Sequence, residues 1–125
     1  MAIRIIIAES SPIMRTIVKN KLIPKGYEIA GVASGPDETL EMYERIRPDL
    51  LTIDVSSEQN KSKGSDWIET VRKILTIDPD ARIVMVASPG QEELLINSFK
   101  TGVRDFVVKP FEPERIITAL ERAVA

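Results

Sequence analysis

The sequence predicts an α/β domain in which a five-stranded parallel sheet carries helices on both faces. Three observations lead there. Short, nearly continuous β-branched runs alternate strictly with longer segments of helical periodicity. Proline stands at the expected first position of three of those helices. The 125 residues and 43% hydrophobic content suffice for one core without staples. Residues 1–125 are accordingly expected to form a single domain.

The first strand is expected at residues 3–8, an apolar run interrupted by Arg4 and closed by Glu9. Ser11-Pro12 then opens a helix whose stripe is Ile13, Met14, Ile17, Val18 and Leu22. A second strand is expected at 28–33, and Gly35-Pro36 starts a helix carried by Leu40, Tyr43 and Ile46. Asp49, after Arg47-Pro48, marks entry to the third strand at 50–54. Residues 56–65 are polar throughout, which predicts a mobile loop before a helix with Trp67, Ile68, Val71, Ile74 and Leu75 on its core face. The fourth strand is expected at 82–87, followed by a helix bearing Leu94, Leu95 and Phe99. The fifth strand is expected at 104–108, and Glu112-Pro113 begins a last helix carrying Ile116, Ile117, Leu120 and Val124. Right-handed crossovers leave such an alternation few arrangements other than a parallel sheet, and strands of this composition read as buried on both faces.

Composition removes several function classes. With 17 basic and 19 acidic residues the formal charge is -2, so the broad basic surface that nucleic acid or an anionic membrane requires is not expected. No cysteine is present, which excludes disulfides, zinc thiolates and thiol nucleophiles, and fits a reducing cytoplasm. No histidine is present, which removes the commonest general base. The apolar run at the amino terminus is too short for a signal peptide or membrane span.

In an open parallel sheet, ligands bind at the carboxyl ends of the strands near the reversal of strand order. Glu9 and Ser10 stand there after strand one, Asp54 ends strand three, Ser88 follows strand four, and Lys109-Pro110 follows strand five. Two carboxylates, a hydroxyl and an ammonium converging on one edge suit an aspartyl nucleophile that receives a phosphoryl group, with magnesium on the carboxylates and Lys109 neutralising phosphate charge.

Over essentially its full length the chain resembles the CheY-like receiver domain of two-component response regulators. The resemblance is carried by Ile7-Ala8-Glu9-Ser10-Ser11-Pro12-Ile13-Met14-Arg15, by Arg47-Pro48-Asp49-Leu50-Leu51-Thr52-Ile53-Asp54, and by Gly102-Val103-Arg104-Asp105-Phe106-Val107-Val108-Lys109-Pro110-Phe111. It implies a flavodoxin-like three-layer sandwich with strand order 2-1-3-4-5. It also implies phosphotransfer from a sensor histidine kinase, magnesium at the site, and a cytoplasmic signalling role without catalytic turnover of a dissociable substrate. By position, Asp54 resembles the phosphoacceptor, Lys109 the phosphate-binding lysine, Ser88 the switch hydroxyl and Phe106 the aromatic that reports its state. Glu9, Asp54 and the backbone carbonyl of Ser56 resemble the metal ligands. The neighbourhood of Ile13-Met14-Arg15 and Gly90-Gln91 is similar to the stand-alone chemotaxis branch. A downstream protein would be met through the fourth helix, fifth strand and fifth helix.

Four positions depart from the family pattern. Ala8 replaces one acid of the pair that usually ends strand one, which lowers the expected magnesium affinity, since the ion prefers oxygen ligands. Pro89 follows Ser88 where the family offers a backbone N–H, and a lost donor to a charged acceptor costs about 1.5–3 kcal/mol. The segment after Asp54 lacks the usual Met-Pro turn and is longer before Gly64, and the stretch from Ser88 to Lys109 is one residue short. Ala8 and Pro89 together support an alternative, a pseudo-receiver that binds proteins without a phosphoryl switch. The missing acid also raises the idea that Lys61 or Lys63 folds over Asp54 and Glu9 in place of magnesium. A flavin-binding flavodoxin relative is disfavoured, because no Ser/Thr-Gly-rich phosphate loop follows strand one.

Overall fold

Proline at the first helical position fixes the backbone at a point where its missing N–H costs nothing, and three helices of the computed structural model begin on one. The structure describes residues 2–56 and 61–125, with side chains described outside 61–66. The order is β1 (Arg4–Ala8), α1 (Pro12–Leu22), β2 (Glu28–Ala33), α2 (Pro36–Ile46), β3 (Leu50–Asp54), α3 (Lys61–Ile77), β4 (Ile83–Ala87), α4 (Glu92–Thr101), β5 (Asp105–Val108) and α5 (Pro113–Val124), with a 3-10 turn at Ile23–Lys25. All strand pairings are parallel and the strand order is β2-β1-β3-β4-β5, the flavodoxin-like arrangement.

Strand bounds agree with the sequence reading to within a residue. The third helix begins earlier than its apolar stripe does, at Lys61, inside the polar stretch read as a loop. Residues 61–65, read as part of a mobile loop, are helical, which corrects that reading; its residues 57–60, and the side chains of Lys61 and Lys63 invoked as a built-in cation, lie outside the described residues.

Side chains alternate along a strand, so each strand feeds two cores. Ile6, Leu51, Ile53, Ile83 and Met85 pack with Trp67, Val71 and Ile74 beneath α2, α3 and α4. Ile5, Ile7, Leu50, Val84 and Val107 pack with Leu22, Ile116 and Leu120 beneath α1 and α5. Full burial of one such side chain stabilises by roughly 1.5–3 kcal/mol. The central β3 is buried at all five positions, whereas the edge strands β2 and β5 are only partly covered, which corrects the expectation of five doubly buried strands. An edge strand has one neighbour, and its outer flank stays in solvent.

Asp54 continues the row of Leu50 and Thr52 and therefore lies on the α1–α5 side, at the carboxyl edge of the central strand. At the other end of the fourth crossover, Gly102 closes α4 with φ at 132°, and its N–H donates to Ser98 and Phe99. A Cβ there would sit 2.8 Å from Leu75 Cδ1. Gly102→Ala is therefore expected to destabilise the fold by about 1–3 kcal/mol in urea unfolding, since strain and contact act together.

Candidate functional site

The carboxyl edge of the sheet is assembled by ladder bonds that continue past the strands. Glu9 N–H donates to Ala33 O at 2.9 Å, Val55 N–H to Val86 O at 2.8 Å, and Lys109 N–H to Ala87 O at 2.8 Å. These bonds fix where the side chains of Glu9, Asp54 and Lys109 emerge. The Lys109–Pro110 peptide is cis. Ser11 caps α1 by accepting from Met14 N–H at 3.3 Å, and its own N–H donates to Glu9 Oε1 at 2.9 Å.

Asp54 is 9% exposed. Its Oδ1 accepts from the Ser56 N–H at 2.8 Å and from the Ser56 hydroxyl at 2.5 Å. Its Oδ2 faces the Lys109 ammonium at 3.0 Å. Burial alone would raise this carboxyl, but hydrogen bonds from Glu9, Ser56 and Lys109 outweigh it and hold Asp54 below the usual carboxylate range. Glu9 is 5% exposed and behaves oppositely. Burial, reinforced by the hydrogen bond it shares with Asp54 and by that residue's charge, pushes Glu9 up to about 8. Two adjacent carboxylates cannot both ionise cheaply, so Glu9 holds the proton and Asp54 the charge. At neutral pH the trio of protonated Glu9, ionised Asp54 and cationic Lys109 is electrically balanced.

Ser88 emerges at the end of β4. Its N–H donates to Gln91 Oε1 at 2.8 Å, and its hydroxyl lies 3.2 Å from that oxygen and 3.4 Å from Ser56 O. Phe106, on β5, is half-buried and meets Phe99 of α4 edge-on, with ring centroids 5.2 Å apart. The structure thus brings Glu9, Asp54, Ser56 and Lys109 together, sets Ser88 beside Ser56, and leaves Phe106 on β5, two strands from β3 and packed under α4.

For a hard divalent cation the available donor chemistry is the adjoining pair of carboxylates, Glu9 and Asp54. Ala8 is buried and adds no oxygen, and among the described residues no group of three acidic, histidine or cysteine side chains could hold a metal ion. The Ser56 carbonyl lies on the Ser88 side, within reach of that hydroxyl.

Gln91 was not singled out from the sequence as a site residue. Its signal was present in Ser88-Pro89-Gly90-Gln91, which has proline at the second and glycine at the third position of a turn, the pattern of a type II turn. Gly90 takes φ of 96°, and Gln91 N–H closes on Ser88 O at 3.2 Å, which folds the glutamine back onto the serine.

Known proteins are similar to this chain over nearly its whole length. The response regulator receiver domain model matches residues 5–121. The chain is 34% identical over 122 residues to the chemotaxis protein CheY of Thermotoga maritima, covering 98% of each. It is 32% identical over 124 residues to the chemotaxis protein CheY of Bacillus subtilis, covering 99% of each. A crystal structure of a response regulator from Thermotoga maritima superposes with a TM-score of 0.83 at 23% identity, over 99% of this chain and 98% of that one, a likeness of fold.

Proposed function

This chain belongs to the response regulator receiver domain family, and from that premise we propose that it accepts a phosphoryl group on Asp54 from a sensor histidine kinase and switches a protein-binding face. The observation that carries the proposal is the Asp54 carboxylate, buried at the end of β3 and kept ionised beside the Lys109 ammonium at 3.0 Å. A carboxylate oxygen attacks phosphorus, a new P–O bond forms, and the donor's bond to phosphorus breaks, its electron pair leaving with the donor group. Lys109, already placed at Oδ2, neutralises charge on the arriving phosphoryl oxygens. Ser56 holds Oδ1 and orients the carboxylate. Glu9 and Asp54 are the side chains that would hold magnesium, which when bound supplies further charge neutralisation at the phosphoryl group. The domain acts as a phosphoacceptor rather than a turnover enzyme.

The output would leave through α4, β5 and α5. Ile96, Phe99 and Val108 are large exposed apolar residues on α4 and β5, a surface suited to a protein partner. Phe106 links this face to the site, because it packs on Phe99 and lies on the strand that leads to Lys109. Likeness to chemotaxis proteins supports signalling of that type, in the cytoplasm. No described helix is long and apolar enough to cross a membrane.

Intact-mass measurement after incubation with acetyl phosphate and magnesium tests the reading. The expected result is a gain of one phosphoryl group that requires magnesium and disappears in Asp54→Asn. A second reading, a receiver fold that binds partners without the switch, is favoured by Ala8 and by Pro89, which has no N–H to offer a phosphoryl oxygen. Absence of any mass gain in the wild-type protein would establish that second reading instead.

A further inference from the structure

We infer that Gln91 is a positioning residue that latches Ser88 and thereby sets how readily its hydroxyl turns to a phosphoryl group on Asp54. The inference rests on Asp54 being the phosphoacceptor. One carboxamide bridges two strand ends: Oε1 accepts from the Ser88 N–H at 2.8 Å and lies 3.2 Å from the Ser88 hydroxyl, while Nε2 donates to Val55 O at 2.8 Å. These partners fix which end of the amide is which, because an N–H needs an acceptor and a carbonyl needs a donor. Glutamate would set an acceptor against the Val55 carbonyl, and an apolar side chain would leave both backbone groups without this partner.

The rest of the turn makes the latch consequential. Pro89 has no N–H, and the Gly90 N–H is taken by Glu92 Oε1 at 3.1 Å. The Ser88 hydroxyl is then the movable donor that this turn can bring to Asp54. To do so it must leave Gln91 Oε1 and Ser56 O, which it neighbours in the resting state. Gln91 thus biases a two-position hydroxyl, holding it outward until phosphoryl charge competes for it. Gln91 is the N-cap residue of α4, so the same side chain ties the start of the helix that carries Ile96 and Phe99 to the ends of β3 and β4.

Two measurements on the full chain test this. In unphosphorylated protein, Gln91→Ala should move the Ser88 amide proton resonance upfield and speed its solvent exchange at least about tenfold, because a protecting acceptor is gone. After phosphorylation with acetyl phosphate and magnesium, Gln91→Ala should change the lifetime of the phosphoryl group about threefold to tenfold relative to wild type, the range of one neutral hydrogen bond. In a Ser88→Ala background the same substitution should leave the lifetime unchanged, whereas a merely structural role would persist there. An unaltered Ser88 amide overturns the latch. A phosphorylated wild type whose lifetime is the same in Gln91→Ala overturns the role of Gln91 and spares that of Asp54. A wild type that takes no phosphoryl group overturns the Asp54 reading, and the positioning role falls with it.

Discussion

Between about pH 6 and about pH 9.5, in the presence of a chelator, the wild-type domain is expected to lose on the order of a few kcal/mol of unfolding free energy that Glu9→Gln retains. The sign follows from the proton on Glu9. Its carboxyl titrates near 8 in the fold against an ordinary value of 4.5, chiefly because it is buried and then because Asp54 lies beside it. Between those two values the folded protein binds a proton that the unfolded chain has released, so stability falls as pH rises. Below the ordinary value both states are protonated and the penalty vanishes; above about 8 both are ionised and it is complete. Asp54 has the opposite sign: its lowered carboxyl contributes stability above the ordinary carboxylate range and loses it on acidification, outside this window. Tyr43, pushed well above the ordinary phenol range by burial and by its hydrogen bond to Asp78, stays protonated across it. A glutamine at position 9 can donate to the Asp54 carboxylate at every pH, so the slope should flatten. Urea denaturation at a series of pH values measures it, and parallel curves for the two proteins would contradict the shared proton.

Much of this arrangement was legible in the sequence, and the reasons differ by residue. Pro12, Pro36 and Pro113 marked helix starts because proline's geometry is local and needs no tertiary partner. The buried strands were legible as apolar runs, and Asp54 stood out as a carboxylate ending one of them. Trp67, expected in the core of the third helix, is buried there. Phe99, expected on the core stripe of the fourth helix, is instead 42% exposed, because α4 lies toward the sheet edge and Phe106 covers only part of the ring. Division of charge between Glu9 and Asp54 was not legible, since it depends on burial and on which donors reach which oxygen. Nor was the grip of Gln91 on Ser88, a contact between side chain and backbone that a turn creates and that periodicity does not register.

Lys109→Met is expected to slow phosphoryl transfer to Asp54 by about tenfold to a thousandfold, roughly 1.4–4 kcal/mol of transition-state stabilisation. Charge accumulates on the phosphoryl oxygens and on the departing group as the donor bond lengthens, and Lys109 Nζ, 3.0 Å from Asp54 Oδ2, is the ammonium placed to meet it. Methionine keeps the unbranched stem but cannot neutralise that charge. Stability should respond less. Removing one partner of a fully buried pair costs about 3–5 kcal/mol, but the Lys109 side chain is 28% exposed and Ser56 continues to serve the carboxylate, so about 1–2 kcal/mol is the expectation. A double-mutant cycle separates the two effects. In an Asp54→Asn background Lys109→Met should cost almost nothing in urea denaturation, because the charge it served is gone. A slowed transfer with zero coupling in the cycle would mean that the ion pair exists for the reaction alone. An unchanged rate with strong coupling would make Lys109 a structural counter-ion and place phosphate neutralisation elsewhere.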